Sequence, residues 1–567
     1  MQKIIKHKLG WILLLILFLI VNVLAAFIHT RFDLTKEQRY TISKSTKNIV
    51  QQLDDKVEIL VFLNGDLPTG FKKLASATDD FLQLLKENNS SKIQYKFISP
   101  NEEMNDSNKQ YQDTLIGMGA TPINLTIQIK QGQQNKLIFP YAWIKYKGKN
   151  KLIALYKGGN RFITPAEMNS AEAMLEYNFA KTLNALINPQ KPLLAYATGN
   201  GEITDARTYD LLQTVKNDYS LFTLDINKQP FIPDTFKVLL LVKPKFKFTE
   251  EEKLKIDQYL LHGGKIICFI DNLHAEQDSL QIKPELIAYD RNLNITDLLF
   301  KYGARINTDL LLDLQCDFMP FAVGGTAENP QFEFLHWNYY PLFESKNNHP
   351  INKNLGLVAG RFVNSIDTVK ANGISKTILL SSSANSRILS TPALISLNEN
   401  RNTPEDVLFK QQNIPIAVLL EGKFTSLYKN RIAQTTIDSL RLQGISFIDK
   451  SIKDGKLIVV ADGDMVLNDV SQKQGPLPMG MNLFTSGTQY EYQFANRDFL
   501  LNCLEYLTNK EAIIETRNKD IVLRLLNTQQ VEEDKTMWQL FNIALPIAIT
   551  IICGVVYQQI RKKRNTA

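Results

Sequence analysis

The stretch LLAYATGNGEITDARTYDLLQTV, residues 193–215, decides how the larger part of this chain is read. It opens on an uncharged apolar run, turns on Gly199 and Gly201, and continues with helical spacing. A buried strand, a glycine turn and a helix can together cradle a phosphate or present a catalytic side chain. Thr198, Gly199, Asn200, Gly201 and Glu202 are therefore the candidate contacts for a partner or ligand. The two glycines permit backbone angles that a Cβ disfavours. Glu202 is expected near the N-terminus of the following helix, where a carboxylate is favoured.

The same alternation continues downstream. LFTLDI and FKVLLLVKP read as strands, and TEEEKLKIDQYLLHGGKIICFID as a helix followed by a buried strand. Thr249 and Glu252 form a capping box, and Gly263 and Gly264 end the helix. Strands alternating with helices predict an α/β fold with a doubly wound parallel sheet. Residues 276–400 are less regular, with FAVGGTAENP and SSSANSRILSTP as loop-like pieces, and are read as an insertion or subdomain on the sheet. Regular elements resume with IPIAVLLEGKF, KLIVVADGD and NRDFLLNCLEYLTN, which closes a sheet domain over 191–530.

The chemistry that such a sheet can host has sequence requirements that this one does not meet. A dinucleotide turn needs G-x-G-x-x-G, and G-N-G-E-I-T-D lacks the third glycine; no Walker A run is present. A class-I amidotransferase-like sheet that performs hydrolysis needs a Cys or Ser on a tight turn after a strand. The candidate turns TGNGE, VKPKF and IDNLH offer neither, although His274 follows Asp271 closely. Asp462 and Asp464 form an acidic pair at a strand end, where turn chemistry explains Asp and Gly equally well. No H-E-x-x-H or close Cys/His cluster points to a metal, so the reading carries no catalytic residue, cofactor or metal.

Two uncharged apolar runs flank this body, at 9–28 and 537–557, each long enough to cross roughly 30 Å of hydrocarbon as a helix. Trp11, Trp538 and Tyr557 stand near their ends, where amphipathic rings prefer the interface. Outside the runs lie Lys3, Lys6 and Lys8 in the tail 1–8, and Arg561, Lys562, Lys563 and Arg564 in the tail 558–567. These seven cations equal the whole net charge of +7, so the middle of the chain is formally neutral. That argues against a nucleic-acid binder, which carries a basic stripe on its body. It also places both termini in the cytoplasm and the bulk outside, in a bacterial periplasm, as an inner-membrane protein with two spans. Four cysteines, Cys268, Cys316, Cys503 and Cys553, give no pairing by spacing.

Between the first span and the sheet domain, residues 30–163 read as strand, helix, strand and then further strands: KVEILVFLN, FKKLASATDDFLQLLKENN, IQYKFISP, INLTIQIK, KLIFPYAWIKY and KLIALY. A thioredoxin-like arrangement fits, while thiol redox work does not, since the first strand runs into LNGDLPTG without a cysteine. Residues 164–190 form a connector helix, capped by Thr164 with Pro165 in its first turn and Glu167 completing the box, and ended by Pro189.

Four segments carry a resemblance. They are RYTISKSTKNIVQQLDDKVEILVFLNGDLPTGFKKL (39–74), YATGNGEITD (196–205), YGARINTDLLLDLQC (302–316) and ANRDFLLNCLEYLTNKEAIIETRNKDIVLRLLN (495–527). They resemble GldG, a family of gliding-motility-associated ABC transporter components within a broader group of ABC-transporter auxiliary proteins. That family's turn has the form T-G-H-G-E; Thr198, Gly199, Gly201 and Glu202 match it, and Asn200 replaces the histidine. The resemblance implies a class-I amidotransferase-like domain without catalysis, partnered by a multi-spanning permease and a separate cytoplasmic ATPase. The expected function is thus a non-enzymatic periplasmic subunit of a transporter-like machine supporting gliding. The alternatives are a periplasmic ligand-binding module, with its site at Gly199 and Gly201, and a degenerate hydrolase.

Overall fold

The strand at Val238–Val242 reads VLLLV, and all five residues are buried. A run apolar on both faces fits only a strand covered on both sides. The computed structural model builds this layered arrangement. It describes residues 15–16, 18–20, 41–104, 107–129, 132–156, 165–326, 329–397, 406–442, 444, 446–508, 513–518 and 528–565. Residues 1–519 form one compact unit, and residues 520–567 a second, separate one.

In the N-terminal part, α1 (Lys44–Gln51) leads to β1 (Val57–Val61), α2 (Thr69–Asn88) and β2 (Ile93–Phe97). After α3 (Tyr111–Gly117), the hairpin β3 (Ile123–Ile129) and β4 (Gly132–Ile138) precedes β5 (Tyr141–Tyr146) and β6 (Lys149–Ala154). The sheet order is β2-β1-β5-β6. β1 and β2 are parallel, whereas β5 runs against both β1 and β6. The single strand expected across KLIFPYAWIKY is two strands, β4 and β5, because Pro140 has no N–H to give a ladder. The predicted connector is also two helices, α4 (Pro165–Ala173) and α5 (Leu175–Ile187), parted at Met174. Its proposed cap, Thr164, lies outside the described residues.

The second part holds β7 (Leu193–Thr198), α6 (Tyr209–Lys216), β8 (Ser220–Asp225), β9 (Val238–Val242), α7 (Glu250–Leu261) and β10 (Lys265–Phe269). Later come β11 (Ile374–Ser381), β12 (Pro415–Gly422), α8 (Gln434–Leu442), β13 (Gly455–Val460) and α9 (Asn496–Thr508). Seven strands make one sheet in the order β8-β7-β9-β10-β13-β12-β11. The first five are parallel, and β12 and β11 complete it antiparallel. Alternation along the strands splits the core into two layers. Leu194, Tyr196, Leu240 and Ile458 share one layer with Phe499 and Leu504 of α9, while Ala195, Leu239, Leu241 and Val459 share the other with Ile256 and Leu260 of α7. The Thr249–Glu252 capping box at the start of α7 is present as the sequence predicts.

The segment 276–400, read as an insertion or subdomain, holds strands in both of its loop-like pieces. Strand β11 belongs to the main sheet, and Cys316–Gly325 pairs with Pro330–Phe343 in a long hairpin that includes most of FAVGGTAENP. Ser386–Ser390, within the other loop-like piece, pairs with Asp309–Asp313. Between these strands buried partners hold the polar groups: Ser383 Oγ donates to Asp313 at 2.6 Å, and Ser382 and Ser386 share a bond of 2.8 Å.

In the second unit, α10 (Thr528–Asn565) contains the stretch Asp534–Lys562, long and apolar enough to cross a membrane and exposed throughout. The first apolar run lies mostly outside the described residues; Leu15, Ile16 and Phe18–Ile20 are helical and exposed.

Candidate functional site

In the order β8-β7-β9-β10-β13, the chain leaves β7 toward one edge and returns past it to β9, so β7 and β9 flank the point where the winding reverses. Crevices outside the carboxyl ends of strands at such a point are where doubly wound sheets take ligands. The turns TGNGE, VKPKF and IDNLH and the pair Asp462 and Asp464 follow β7, β9, β10 and β13. The fold therefore gathers all four on one rim.

The glycine turn is packed from inside. Gly199 and Gly201 have φ of +122° and +78°. A Cβ on Gly199 would come within 2.9 Å of Asn227 Nδ2, and one on Gly201 within 2.9 Å of the Phe246 ring. Between them the Asn200 carbonyl accepts from Lys245 N and Phe246 N, each at 2.8 Å. Asn200 Nδ2 donates to Glu252 Oε2 at 3.1 Å, which joins the turn to the cap of α7. Thr198 ends β7, and its carbonyl accepts from Ile226 N at 2.9 Å.

Glu202 is 7 % exposed, and its Oε2 accepts from Asn200 N at 2.8 Å. Burial pushes its carboxyl up to about 7. Glu202 Oε1 and Asn200 Oδ1 have no hydrogen-bond partner among the described residues. The expected place of Glu202 at the next helix N-terminus is taken by Asp205, whose carboxylate accepts from Arg207 N at 2.9 Å. Glu202 turns inward instead, against its own turn.

A cluster of buried charges fills the neighbouring part of the rim. Lys243 follows β9 directly, and Pro244 disfavours right-handed helical angles in the residue before it. Lys243 has φ of +48° and is 1 % exposed. Its ammonium donates to both Asp464 oxygens at 2.7 Å and lies 3.1 Å from Asp271 Oδ2 and 3.0 Å from Glu276 Oε2. Burial disfavours this ammonium, but Asp464, Asp271 and Glu276 raise its pKa. Burial also acts on Glu276, yet Lys243 and Arg291 hold its carboxyl at about 2. Asp462, fully buried, accepts from the backbone N–H groups of Arg361, Asp464 and Met465 at 2.8–3.1 Å. Burial drives its carboxyl well above the usual range, and Asp271 and Asp464 add to the rise.

Asp271, Asp462 and Asp464 each bring a carboxylate oxygen within 4.8 Å of the others, a spacing that suits a cation. The Lys243 ammonium already binds two of the three. The free space beside them, between Tyr340, Arg361 and Asn482, is about 20 Å³ and holds at most one water. His274 stacks on Tyr289 at 4.6 Å and takes no part in the cluster. Sequence reasoning found the acidic pair and the turn containing Lys243, but not the lysine as their counter-charge. A lysine two residues before another in VKPKF carries no local mark of burial.

A much larger cavity, about 1080 Å³, lies away from this rim, between α7 and α8, with Ile232, Leu254, Tyr259, Tyr428 and Leu440 in its wall. Trp538 and Tyr557 are exposed on α10, as are Arg561 and Lys562 in its last turns, where Lys563 and Arg564 continue the helix. Trp11, Lys3, Lys6 and Lys8 lie outside the described residues. Cys268, Cys316 and Cys503 are buried free thiols and Cys553 is an exposed one.

The family model described as an ABC-type uncharacterized transport system matches residues 191–503, and a domain of unknown function matches residues 36–145. An uncharacterized protein of Borreliella burgdorferi is 23% identical over 433 residues, 74% of this chain and 77% of that protein. Among solved structures, the mmIFT52 N-terminal domain is 14% identical with a TM-score of 0.31, over 56% of this chain and 97% of that one.

Proposed function

The chain belongs to the auxiliary family of an ABC-type uncharacterized transport system, and from that premise we propose that it is a non-enzymatic, membrane-anchored subunit of a transporter complex supporting gliding motility. The observation that carries the non-enzymatic reading is the occupied rim. Lys243 neutralises the acids there, Asn200 closes the turn, and the space beside Asp462 and Asp464 is about 20 Å³. A catalytic crevice needs room for a substrate beside its reacting groups. This one is filled by its own side chains, which supports a sheet domain of class-I amidotransferase-like form used as a scaffold. The order β2-β1-β5-β6, with β5 alone reversed, supports a thioredoxin-like N-terminal domain.

In this reading α10 and the apolar run at 9–28 are two anchors, both termini are cytoplasmic, and the body is periplasmic. A multi-spanning permease and a cytoplasmic ATPase are its partners, and ATP hydrolysed by the ATPase moves the body through the anchors. Full-length protein purified from membranes should bring down a permease and an ATPase, and deletion should stop gliding. Recovery of neither partner in a native detergent extract, or gliding unaffected by deletion, would overturn the reading.

The cavity between α7 and α8 favours a second reading, a ligand-binding module, with the site there and not at the glycine turn. Its volume is in the range of small-molecule pockets. Thermal stabilisation of the full-length protein by a metabolite, lost on Leu254→Arg, would support it.

A further inference from the structure

The two ends of the body that lie next to the apolar runs in sequence converge on one element, α5. At the first end, Ser43 caps α1, and both Ser43 N and Thr46 Oγ1 donate to Glu176 Oε1 at 2.7 Å. Thr46 and Glu176 are 0 % and 3 % exposed, so this contact is a buried clasp between the start of the body and α5.

At the other end, the short helix Ile513–Asn518 is the last described element before α10. Its consecutive residues Ile513 and Ile514 are buried in different cores: Ile513 with α1, α2 and α5 in the N-terminal domain, and Ile514 with α9 and the main sheet. Arg517 fixes this helix by donating Nη2 to the Lys353 carbonyl at 2.9 Å and Nη1 to Asn502 Oδ1. The same guanidinium lies 5.2 Å from the ring centre of Tyr177 on α5. The Tyr177 hydroxyl in turn donates to Glu505 of α9. Lys181, one turn further along α5, bridges to Asp218 of the sheet domain at 3.1 Å.

We propose that α5 is the junction at which the two ends of the body are tied together, so that a displacement of either end reaches both sheet domains at once. A packed helix transmits such a displacement because its neighbours interlock at close-packed density. Ile513 and Ile514, seated in different cores, cannot shift without disturbing both. Tyr177 couples the two sides through one side chain, its face toward Arg517 and its hydroxyl on Glu505.

The test is hydrogen–deuterium exchange on the full-length protein in lipid nanodiscs. Thr46→Val loosens the first clasp and Tyr177→Phe the second, each by removing one buried hydroxyl. Each variant should raise exchange about fivefold, the equivalent of one lost hydrogen bond, in residues 41–51 and also in residues 513–518. Tyr340→Phe removes a hydroxyl that donates to Gln277 elsewhere in the sheet domain, and should leave both segments unchanged. Increases confined to the mutated side, or equal increases in the Tyr340→Phe control, would overturn the junction. Rapid exchange throughout residues 534–562 in nanodiscs would overturn the membrane reading separately. Should Thr46→Val fail to fold, Tyr177→Phe decides alone.

Discussion

Lys243 combines two choices that are unfavourable singly, a left-handed backbone on a side-chain-bearing residue and an ammonium out of water. Three carboxylates offset both by surrounding the charge. Lys243→Met should therefore destabilise the protein by about 3–5 kcal/mol in chemical denaturation, since it leaves the buried Asp271 and the half-buried Asp464 without a counter-charge. A loss below ~1 kcal/mol would mean that the acids are neutral or solvated and that the lysine is incidental. Glu202 makes a pH-dependent counterpart. Its carboxyl titrates at about 7 in the fold against 4.5 in the open chain. The folded state thus holds the proton more tightly. Its stabilising contribution is complete below pH 4.5 and is lost as pH rises through 7. Relative to wild type, Glu202→Gln should gain roughly 3 kcal/mol between pH 4.5 and pH 8. Denaturant melts of full-length protein across that range check the slope, and a flat difference would place a donor on Glu202 that burial does not supply. Gly201→Val meets both the Phe246 ring and a left-handed φ, so Phe246→Ala should restore only part of the stability it removes.

At the scale of elements, the capping box of α7 and the apolar stretch of α10 are local in origin and were legible from spacing alone. For α10 this yields a quantitative expectation. Ile547 stands near the middle of Asp534–Lys562 and is 56% exposed. An aspartate there should cost about 2.5–3.5 kcal/mol of membrane insertion. The inserted fraction in a translocon assay should fall accordingly, whereas Gln558→Asp near the helix end should change it far less. The hairpin of Cys316–Gly325 with Pro330–Phe343 was not legible, because Gly, Ala, Thr and Pro at its turn also describe an ordinary loop. Cross-strand pairing, a contact between distant residues, settles the difference. The split of the connector at Met174 was not legible either, since no glycine or proline marks it.

For the molecule as a whole, burial governs the thiols. Cys268 and Cys316 have thiols pushed well above their usual range by burial, and Cys503 is buried as completely. A thiol without access to reagent and without thiolate character is inert. Native full-length protein should therefore leave these three unmodified by a water-soluble maleimide, with all three reacting after denaturation. Mass spectrometry of the tryptic peptides reads the outcome, and labelling of Cys316 in the native protein would indicate that the long hairpin opens.

What the sequence determined by itself follows from short-range physics. The capping box, the glycine turn and the long apolar stretch of α10 depend on neighbours within a few residues, and these appear where the pattern puts them. The strand order, with its reversal between β7 and β9, follows from alternating strands and helices only as a class; its register depends on Leu240 meeting Tyr196 and Ile267 across the sheet. Three decisions were left to tertiary structure: Lys243 closing the acidic cluster, Glu202 facing inward, and α5 joining both ends of the body. The first and third depend on charges or hydroxyls brought from residues far away in sequence, as when Lys243 meets Asp464 or Tyr177 meets Glu505. A side chain's identity states what it can bond, and only the fold states what lies beside it and whether water is excluded.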